Sequence, residues 1–228
     1  MRKELLIFGA GGDLGRGVTQ VFLNKDYDYI YLFDRTVSKI ALHGDNLRII
    51  ETGDLSVEEN VSHIFSNISP DKNTLFFQFS TIGGFRAGTS IWETPLKQWD
   101  LMMKMNLYSA FLLAKYFSLL VKESAGGSVC FTSSMTGNNP ESKKASYGVS
   151  KNALNFLVKT LALEGREIGL SANAVAPGII DTPENRGWVK NASAMVSPEQ
   201  IGELVYSVFC NYKTSSGNVI NMPGNLQI

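Results

Sequence analysis

The sequence predicts an α/β fold: a doubly wound, mostly parallel seven-stranded sheet with helices on both faces. Three observations lead there. Short apolar runs alternate with longer segments of helical period along the chain, and that alternation implies parallel strands joined by crossover helices. Most strand candidates are nearly continuous apolar stretches, as expected of strands covered on both faces. A glycine-rich turn also follows directly on the first of them.

The predicted strands, in order, are Leu5–Phe8, Tyr29–Phe33, Leu47–Ile50, Thr74–Phe79, Gly127–Thr132, Ala172–Val175 and Asn218–Ile220. The helical patterns between them are Leu14–Asn24, Val57–Phe65, Leu96–Lys122, Ser146–Glu167 and Pro198–Cys210. Two helix starts carry capping chemistry: Ser56 precedes Glu59, and Ser197 precedes Pro198 and Gln200. No repeat, low-complexity tract or linker interrupts the pattern, so residues 1–228 read as one domain.

Composition excludes several classes. Hydrophobic residues make up 44% and charged residues 18%, a globular balance. Lys+Arg and Asp+Glu are both 21, so the basic footprint of a nucleic-acid binder is missing and one brake on self-association is removed. No apolar run is long enough to span a membrane. Met1-Arg2-Lys3-Glu4 leads straight into a strand, so a cytoplasmic location without a signal peptide is expected. Cys130 and Cys210 read as two buried reduced thiols, and no Cys/His cluster suggests a metal.

The nucleotide end of a Rossmann-type fold is legible first. Gly9, Gly12 and Gly15 form Gly-x-x-Gly-x-x-Gly between the first strand and the first helix. Glycine there allows a sharp turn, lets the backbone approach a pyrophosphate and brings the helix against the strand. The helix start then offers free N–H groups to phosphate. Chance supplies about 0.2 such patterns in a chain this rich in glycine, so position carries the argument. Asp13 sits inside this loop and is expected to turn away and cap the first helix. Asp34 ends the second strand, where an acid accepts from ribose hydroxyls and repels a 2′-phosphate. That favours NAD(H) over NADP(H), although Arg35 next to it suits a 2′-phosphate. Asp54 follows the third strand, placed to meet adenine or simply to make a turn.

The chemical end is carried by Tyr147 and Lys151, four apart on one helix and so on one face. A phenol near its ordinary value of about 10 is a poor proton shuttle. An adjacent ammonium and an oxidised nicotinamide would both lower that value. The spacing alone is weak, since chance supplies about 0.5 such pairs here. Ser134 lies just past an apolar strand, placed to donate to a substrate carbonyl, with Ser133 as a rival. Asn106 sits in mid-helix, where a poor helix former hints at a buried hydrogen-bonding task.

In order and spacing, Asn106, Ser134, Tyr147 and Lys151 resemble the catalytic tetrad of the short-chain dehydrogenase/reductase family. The flanking segments Gly127–Ser134 and Ala145–Lys151 are similar to that family too. Asn173–Thr182 resembles the strand and Pro-Gly loop that embrace the nicotinamide. The resemblance implies a carbonyl/alcohol interconversion in which Tyr147 handles the proton, Lys151 holds the ribose, Ser134 orients substrate and Asn106 anchors a water. It implies cofactor contacts from Gly9, Gly12, Asp13, Leu14, Gly15, Asp34, Arg35, Asp54, Leu55, Phe79, Ser80, Tyr147, Lys151, Pro177, Gly178, Ile180 and Thr182. Substrate contacts are expected from Ser134, Met135, Tyr147 and Trp188.

The chain departs from the family pattern in places. Asp13 and Phe8 replace the usual Gly and Thr of the glycine loop, and the usual Asn-Asn-Ala-Gly segment after the fourth strand is missing. The loop spacing, Asp181–Arg186 and Ser215-Ser216-Gly217 resemble dihydropteridine reductase, which lacks a serine matching Ser134. These departures keep two alternatives open: a dihydropteridine reductase-like enzyme, and a dinucleotide-binding sensor without turnover. Family members that reduce 3-oxoacyl groups on an acidic carrier place a basic residue where this chain has Ile168, with Arg166 shifted nearby.

Segments 82–93, 135–144 and 183–195 are expected to form the substrate side, the last closing as a lid. Phe85, Trp92, Met135 and Trp188 would wall the pocket, and Arg86, Lys143, Lys144 and Arg186 would hold an anionic group. His43 and His63 read as bystanders. Helices 96–122 and 146–167 are apolar on more than one face, which together with the resemblance implies a homodimer or homotetramer.

Overall fold

The computed structural model describes residues 1–189 and 191–225. Seven strands form one sheet: β1 (Arg2–Phe8), β2 (Tyr29–Asp34), β3 (Leu47–Glu51), β4 (Thr74–Ser80), β5 (Gly126–Thr132), β6 (Leu170–Pro177) and β7 (Val219–Met222). Their spatial order is β3-β2-β1-β4-β5-β6-β7, and every neighbouring pair is parallel. After β3 the chain crosses back to place β4 on the far side of β1. The sheet therefore has a topological switch point between β1 and β4, and a crevice opens at their carboxyl ends.

The helices are α1 (Asp13–Leu23), α2 (Glu58–Ser66), α3 (Leu96–Met103), α4 (Ser109–Lys122), α5 (Ala145–Glu164), the one-turn α6 (Pro183–Arg186) and α7 (Pro198–Cys210). The period-two alternation of strand side chains divides the core. Leu5, Ile7 and Phe77 pack with Val18, Phe22, Val205 and Phe209 beneath α1 and α7. Leu6, Phe8, Phe76 and Phe131 pack with Leu113, Phe117, Leu154 and Val158 beneath α2, α4 and α5. Both faces of the central strands are buried, which is why their sequences read as unbroken apolar runs. Gln78 is the exception. Its amide is fully buried in β4, and neither its oxygen nor its nitrogen finds a hydrogen-bond partner among the described residues. An unsatisfied buried amide of this kind costs about 1–3 kcal/mol.

Several local expectations change. Helix 96–122 is not continuous: Lys104–Tyr108 forms a π-helical turn between α3 and α4. Helix 146–167 gives way after Glu164 to a 3-10 turn, Gly165–Ile168, which ends on Gly169 at φ +70. Ser197 and Gln200 form the expected reciprocal cap of α7 with Pro198 in its first turn. Ser56 does not cap α2. Its N–H and hydroxyl both donate to the Asp54 carboxylate instead, at 2.9 and 2.8 Å. Cys130 is buried, and burial pushes its thiol up to about 12. Cys210 is exposed rather than buried, because it lies on the outer side of α7.

Candidate active site

The loop after β1 is shaped by backbone contact. Gly9 and Ala10 donate from their N–H groups to Phe33 O, and Gly12 N donates to Gly9 O. A Cβ on Gly15 would lie 2.0 Å from Gly9 O and 2.7 Å from Ala10 Cα, so only glycine lets α1 start this close to β1. Gly12, by contrast, is exposed toward the crevice and heads α1 without a side-chain cap. This is a cradle of free helix-start N–H groups that fits a dinucleotide pyrophosphate. Asp13 does turn away, but it does not cap α1. It lies inside the first turn, and Arg16 pairs with its carboxylate while also donating to Gly11 O at 2.8 Å. Leu14 packs into the core beneath α1 and α7.

Asp34 is placed differently from the expectation. One carboxylate oxygen accepts from Gly11 N and the other from Thr36 N, both at 2.9 Å. The acid braces the glycine loop, and Arg35 beside it is exposed. Asp54 makes a tight turn, and its two bonds from Ser56 hold its carboxyl below the usual range. Leu55 and Phe79 bury their side chains in the two cores.

A relay of hydrogen bonds crosses the carboxyl ends of the strands from this cradle to the chemical end. Thr81 Oγ1 donates toward Phe8 O and Gly9 O, both at 3.0 Å. Ser80 Oγ accepts from Ile82 N, and Ser80 O accepts from Thr132 Oγ1 at 2.8 Å. Lys151 Nζ, in turn, donates to Thr132 O at 2.8 Å. Lys151 is buried, and loss of hydration pulls its ammonium down to about 8.

Asn106 lies in the π-turn with its side chain buried. It clamps the segment after β4: Gly84 N donates to Oδ1 at 2.8 Å, and Nδ2 donates to Gly84 O at 3.0 Å and to Ser150 Oγ at 2.9 Å. A Cβ on neighbouring Gly83 would fall 2.7 Å from Asn106 Oδ1 and 3.0 Å from Lys151 Nζ. Gly83 and Gly84 lie in the segment 82–93 expected on the substrate side, although neither is singled out by sequence reasoning. Their signal is a Gly-Gly pair separated by two residues from the end of the apolar strand β4.

The rivalry between the two serines is resolved by their partners. Ser133 hydrogen-bonds Asn155, whose Nδ2 donates to Asn138 at 2.9 Å, so Ser133 holds the loop after β5. Ser134 accepts from Thr136 N at 3.2 Å, and its hydroxyl lies near the Tyr147 phenol. The ring of Phe85 meets Tyr147 edge-on, centroids 4.9 Å apart. The Tyr147 phenol is raised above its ordinary value, not lowered. Burial is the largest cause, the bond with Ser134 opposes it, and the Glu141 carboxylate adds to it. The expected lowering by Lys151 is not seen, because that ammonium is drawn to Thr132 O and stands 6.0 Å from the tyrosine ring centroid.

After β6, which ends at Pro177, Gly178 N donates to Met222 O. Ile180 bridges to Val196. Thr182 Oγ1 accepts from Asn185 N at 3.3 Å and so caps α6, while Arg186 pairs with Asp181 through two nitrogens. Segment 183–195 is thus partly helical, and Lys190 within it lies outside the described residues. Met135 accepts backbone bonds from Asn138 and Asn139, and Trp188 is exposed. No group of three metal-binding side chains occurs among the described residues.

A parallel sheet with a glycine cradle at its switch point, and a tyrosine, lysine and serine brought to the same crevice, defines a dinucleotide-dependent oxidoreductase. Comparison with known proteins agrees. The family model described as "Enoyl-(Acyl carrier protein) reductase" matches residues 16–201, and the chain belongs to the short-chain dehydrogenase/reductase family. It is an NAD(P)(H)-dependent oxidoreductase of that family, working by hydride transfer. The chain is 28% identical over 187 residues to "Uncharacterized oxidoreductase YxbG" of Bacillus subtilis (strain 168), covering 79% of this chain and 68% of the relative. It is also 28% identical over 195 residues to a dihydropteridine reductase of Dictyostelium discoideum, covering 85% and 80%. The fold superposes on ElxO with NADP bound at a TM-score of 0.85, with 21% identity and 97% of both chains covered. A second ElxO structure holds NADPH.

Those complexes overturn the preference for NAD(H) drawn from Asp34. The physical reason lies in the geometry above. Each Asp34 carboxylate oxygen accepts one backbone N–H group, so the acid has a bracing task in the glycine loop that does not depend on a ribose, and its position at the strand end does not by itself select NAD(H).

Proposed function

We propose that the protein interconverts a carbonyl and a secondary alcohol with NADP(H), and that Tyr147 and Ser134, beside the buried Lys151 held to Thr132 O, carry the chemistry. The glycine cradle at the start of α1 would hold the pyrophosphate. Exposed Arg35 would meet the 2′-phosphate. Ile180 and Thr182 would border the nicotinamide, which when bound supplies or accepts the hydride.

Every remaining task falls to the chain. Tyr147 delivers its phenolic proton to the carbonyl oxygen in reduction and recovers it in oxidation. Ser134 donates to the same oxygen and fixes the carbonyl's direction. Lys151 stands beneath the phenol with its ammonium available to ribose hydroxyls. Asn106 acts through Gly83 and Gly84, whose position sets the space above Lys151. Titration by cofactor fluorescence is expected to give tighter binding for NADPH than for NADH, and Arg35→Ala should weaken NADPH by about tenfold while leaving NADH unchanged. Equal affinities in the unaltered protein would sink the assignment of Arg35.

The likeness to the Dictyostelium dihydropteridine reductase supports a second reading, a pterin substrate at the same site. Ser134 weighs toward a simple carbonyl, because it supplies a donor that such enzymes lack.

A second copy of the chain fits the outer face of α5. Val149, Phe156 and Leu163 are exposed there at seven-residue spacing, on one face of the helix. Antiparallel pairing about Phe156 sets each Val149 against a Leu163 of the other copy. Sedimentation should find a dimer or tetramer that Phe156→Glu dissociates, and a monomeric unaltered protein would refute the pairing.

A further inference from the structure

Asn155 carries an amide that the chemistry above does not use. It lies in α5, eight residues after Tyr147 and four after Lys151, so all three stand on one face of the helix. Asn155 is buried, and both ends of its amide are engaged. Oδ1 accepts from Ser133 Oγ, and Nδ2 donates to Asn138 Oδ1 at 2.9 Å. Those two partners flank residues 134–137, so one side chain brackets at both ends the turn that carries Ser134. Each end is tied onward. Ser133 N donates to Val175 O in β6 at 2.7 Å, and Asn138 Nδ2 donates to Asn221 Oδ1 in β7 at 3.1 Å.

The turn itself lies close against α5. A Cβ on Gly137 would fall 3.0 Å from Asn155 Nδ2, 3.0 Å from the Lys151 carbonyl carbon and 3.1 Å from Lys151 Cβ. Asn152 Nδ2 donates to Gly137 O at 2.8 Å. Gly137 N donates to Ser134 O and Thr136 N to Ser134 Oγ, so the place of the serine follows from the place of the turn. The bond from Thr136 N occupies one lone pair of Ser134 Oγ and leaves the hydroxyl hydrogen for an outside acceptor.

We infer that Asn155 is a positioning residue for the reaction: its amide sets where Ser134 stands relative to Tyr147 on the same helix. The inference rests on Ser134 orienting the substrate carbonyl, as proposed above. Ser134 and Tyr147 must reach one oxygen together, yet they come from different elements. Ser134 follows β5, whereas Tyr147 belongs to α5. Asn155 locks the first to the second from both ends of the turn. An apolar residue of the same size would leave Ser133 Oγ and Asn138 Oδ1 without this partner, and the turn could lift from α5. Ser134 would then lose its register while Tyr147, Lys151 and the glycine cradle kept theirs. Small misplacements near the reacting atoms have large kinetic effects, on the order of 10²-fold for 1 Å.

The test makes Asn155→Leu and Asn138→Ala each in the unaltered protein and in Ser134→Ala. NADPH-dependent reduction is measured on phenanthrenequinone, diacetyl, ethyl acetoacetate and cyclohexanone, and the fastest of these is carried through all variants. NADPH fluorescence titration and thermal melting run alongside. Ser134→Ala should lower kcat by about 100-fold. Asn155→Leu should lower kcat by about 30-fold while NADPH affinity stays within about twofold. In the Ser134→Ala background the same change should lower kcat by less than about twofold, because the group it positions is already gone. Asn138 is exposed, so its truncation spares the core and keeps the test open if Asn155→Leu fails to fold. Asn138→Ala should lower kcat by about fivefold, with the same dependence on Ser134. A role in helix packing, or one exerted through Lys151, predicts equal losses in both backgrounds. Equal losses, or no loss, overturn the inference. Full turnover in Ser134→Ala instead refutes the role of the serine, and an unaltered protein that reduces none of the four ketones refutes the proposed function, so each failure is distinguishable from that of Asn155 alone.

Discussion

Replacing Tyr147 with phenylalanine should lower turnover by about 10³-fold while leaving NADPH affinity and the thermal midpoint near those of the unaltered protein. A positioned general acid contributes roughly 10²–10⁴ to rate, and a 10³-fold loss corresponds to about 4 kcal/mol of barrier. The fold should tolerate the change. The ring keeps its edge contact with Phe85, and Ser134 keeps its bond from Thr136 N, so no core group is orphaned. Steady-state kinetics on ketone and secondary alcohol panels, with NADPH titration and thermal melting alongside, separate the outcomes. A variant that turned over normally would remove the enzyme's proton donor from the mechanism. A protein that binds NADPH but reduces nothing, with Tyr147 intact, would favour a sensor.

Gly15→Ala should weaken NADPH by about 100-fold and lower stability by about 1–3 kcal/mol, the usual range for overpacking. The new methyl would press on Gly9 O and Ala10 Cα, which are backbone atoms of the turn itself. α1 must then move off β1, carrying its N–H groups away from the crevice. Gly12→Ala gives the contrasting result. Its Cβ would meet only Gly9 O, at 3.5 Å, so stability should hold while the methyl intrudes on the cleft and cofactor binding falls. Fluorescence titration with NADPH and thermal melting of both variants check the split. Unchanged affinity in Gly15→Ala would mean that the dinucleotide does not lie against this turn.

What the sequence by itself determined are the features of short range. Continuous apolar runs specify buried parallel strands, and the helical periods between them specify crossovers, so the seven strands are legible to within a few residues. The types and spacing of Tyr147 and Lys151 follow from one helix, and the glycine spacing follows from one turn. Tertiary structure decided whatever depends on partners distant in the chain. Asn106 occupies a π-turn because Gly84 and Ser150, 22 and 44 residues away, claim its amide. Asp34 braces a loop 23 residues earlier rather than waiting for a ribose. Ser133 and Ser134 are neighbours with one chemistry, and only the reach of Asn155 and of Tyr147 gives them different tasks. Local pattern encodes which faces are apolar and which turns are tight. A polar side chain's role is set by whichever donor or acceptor the folded chain brings within hydrogen-bond distance, and burial then determines how strongly it holds its proton.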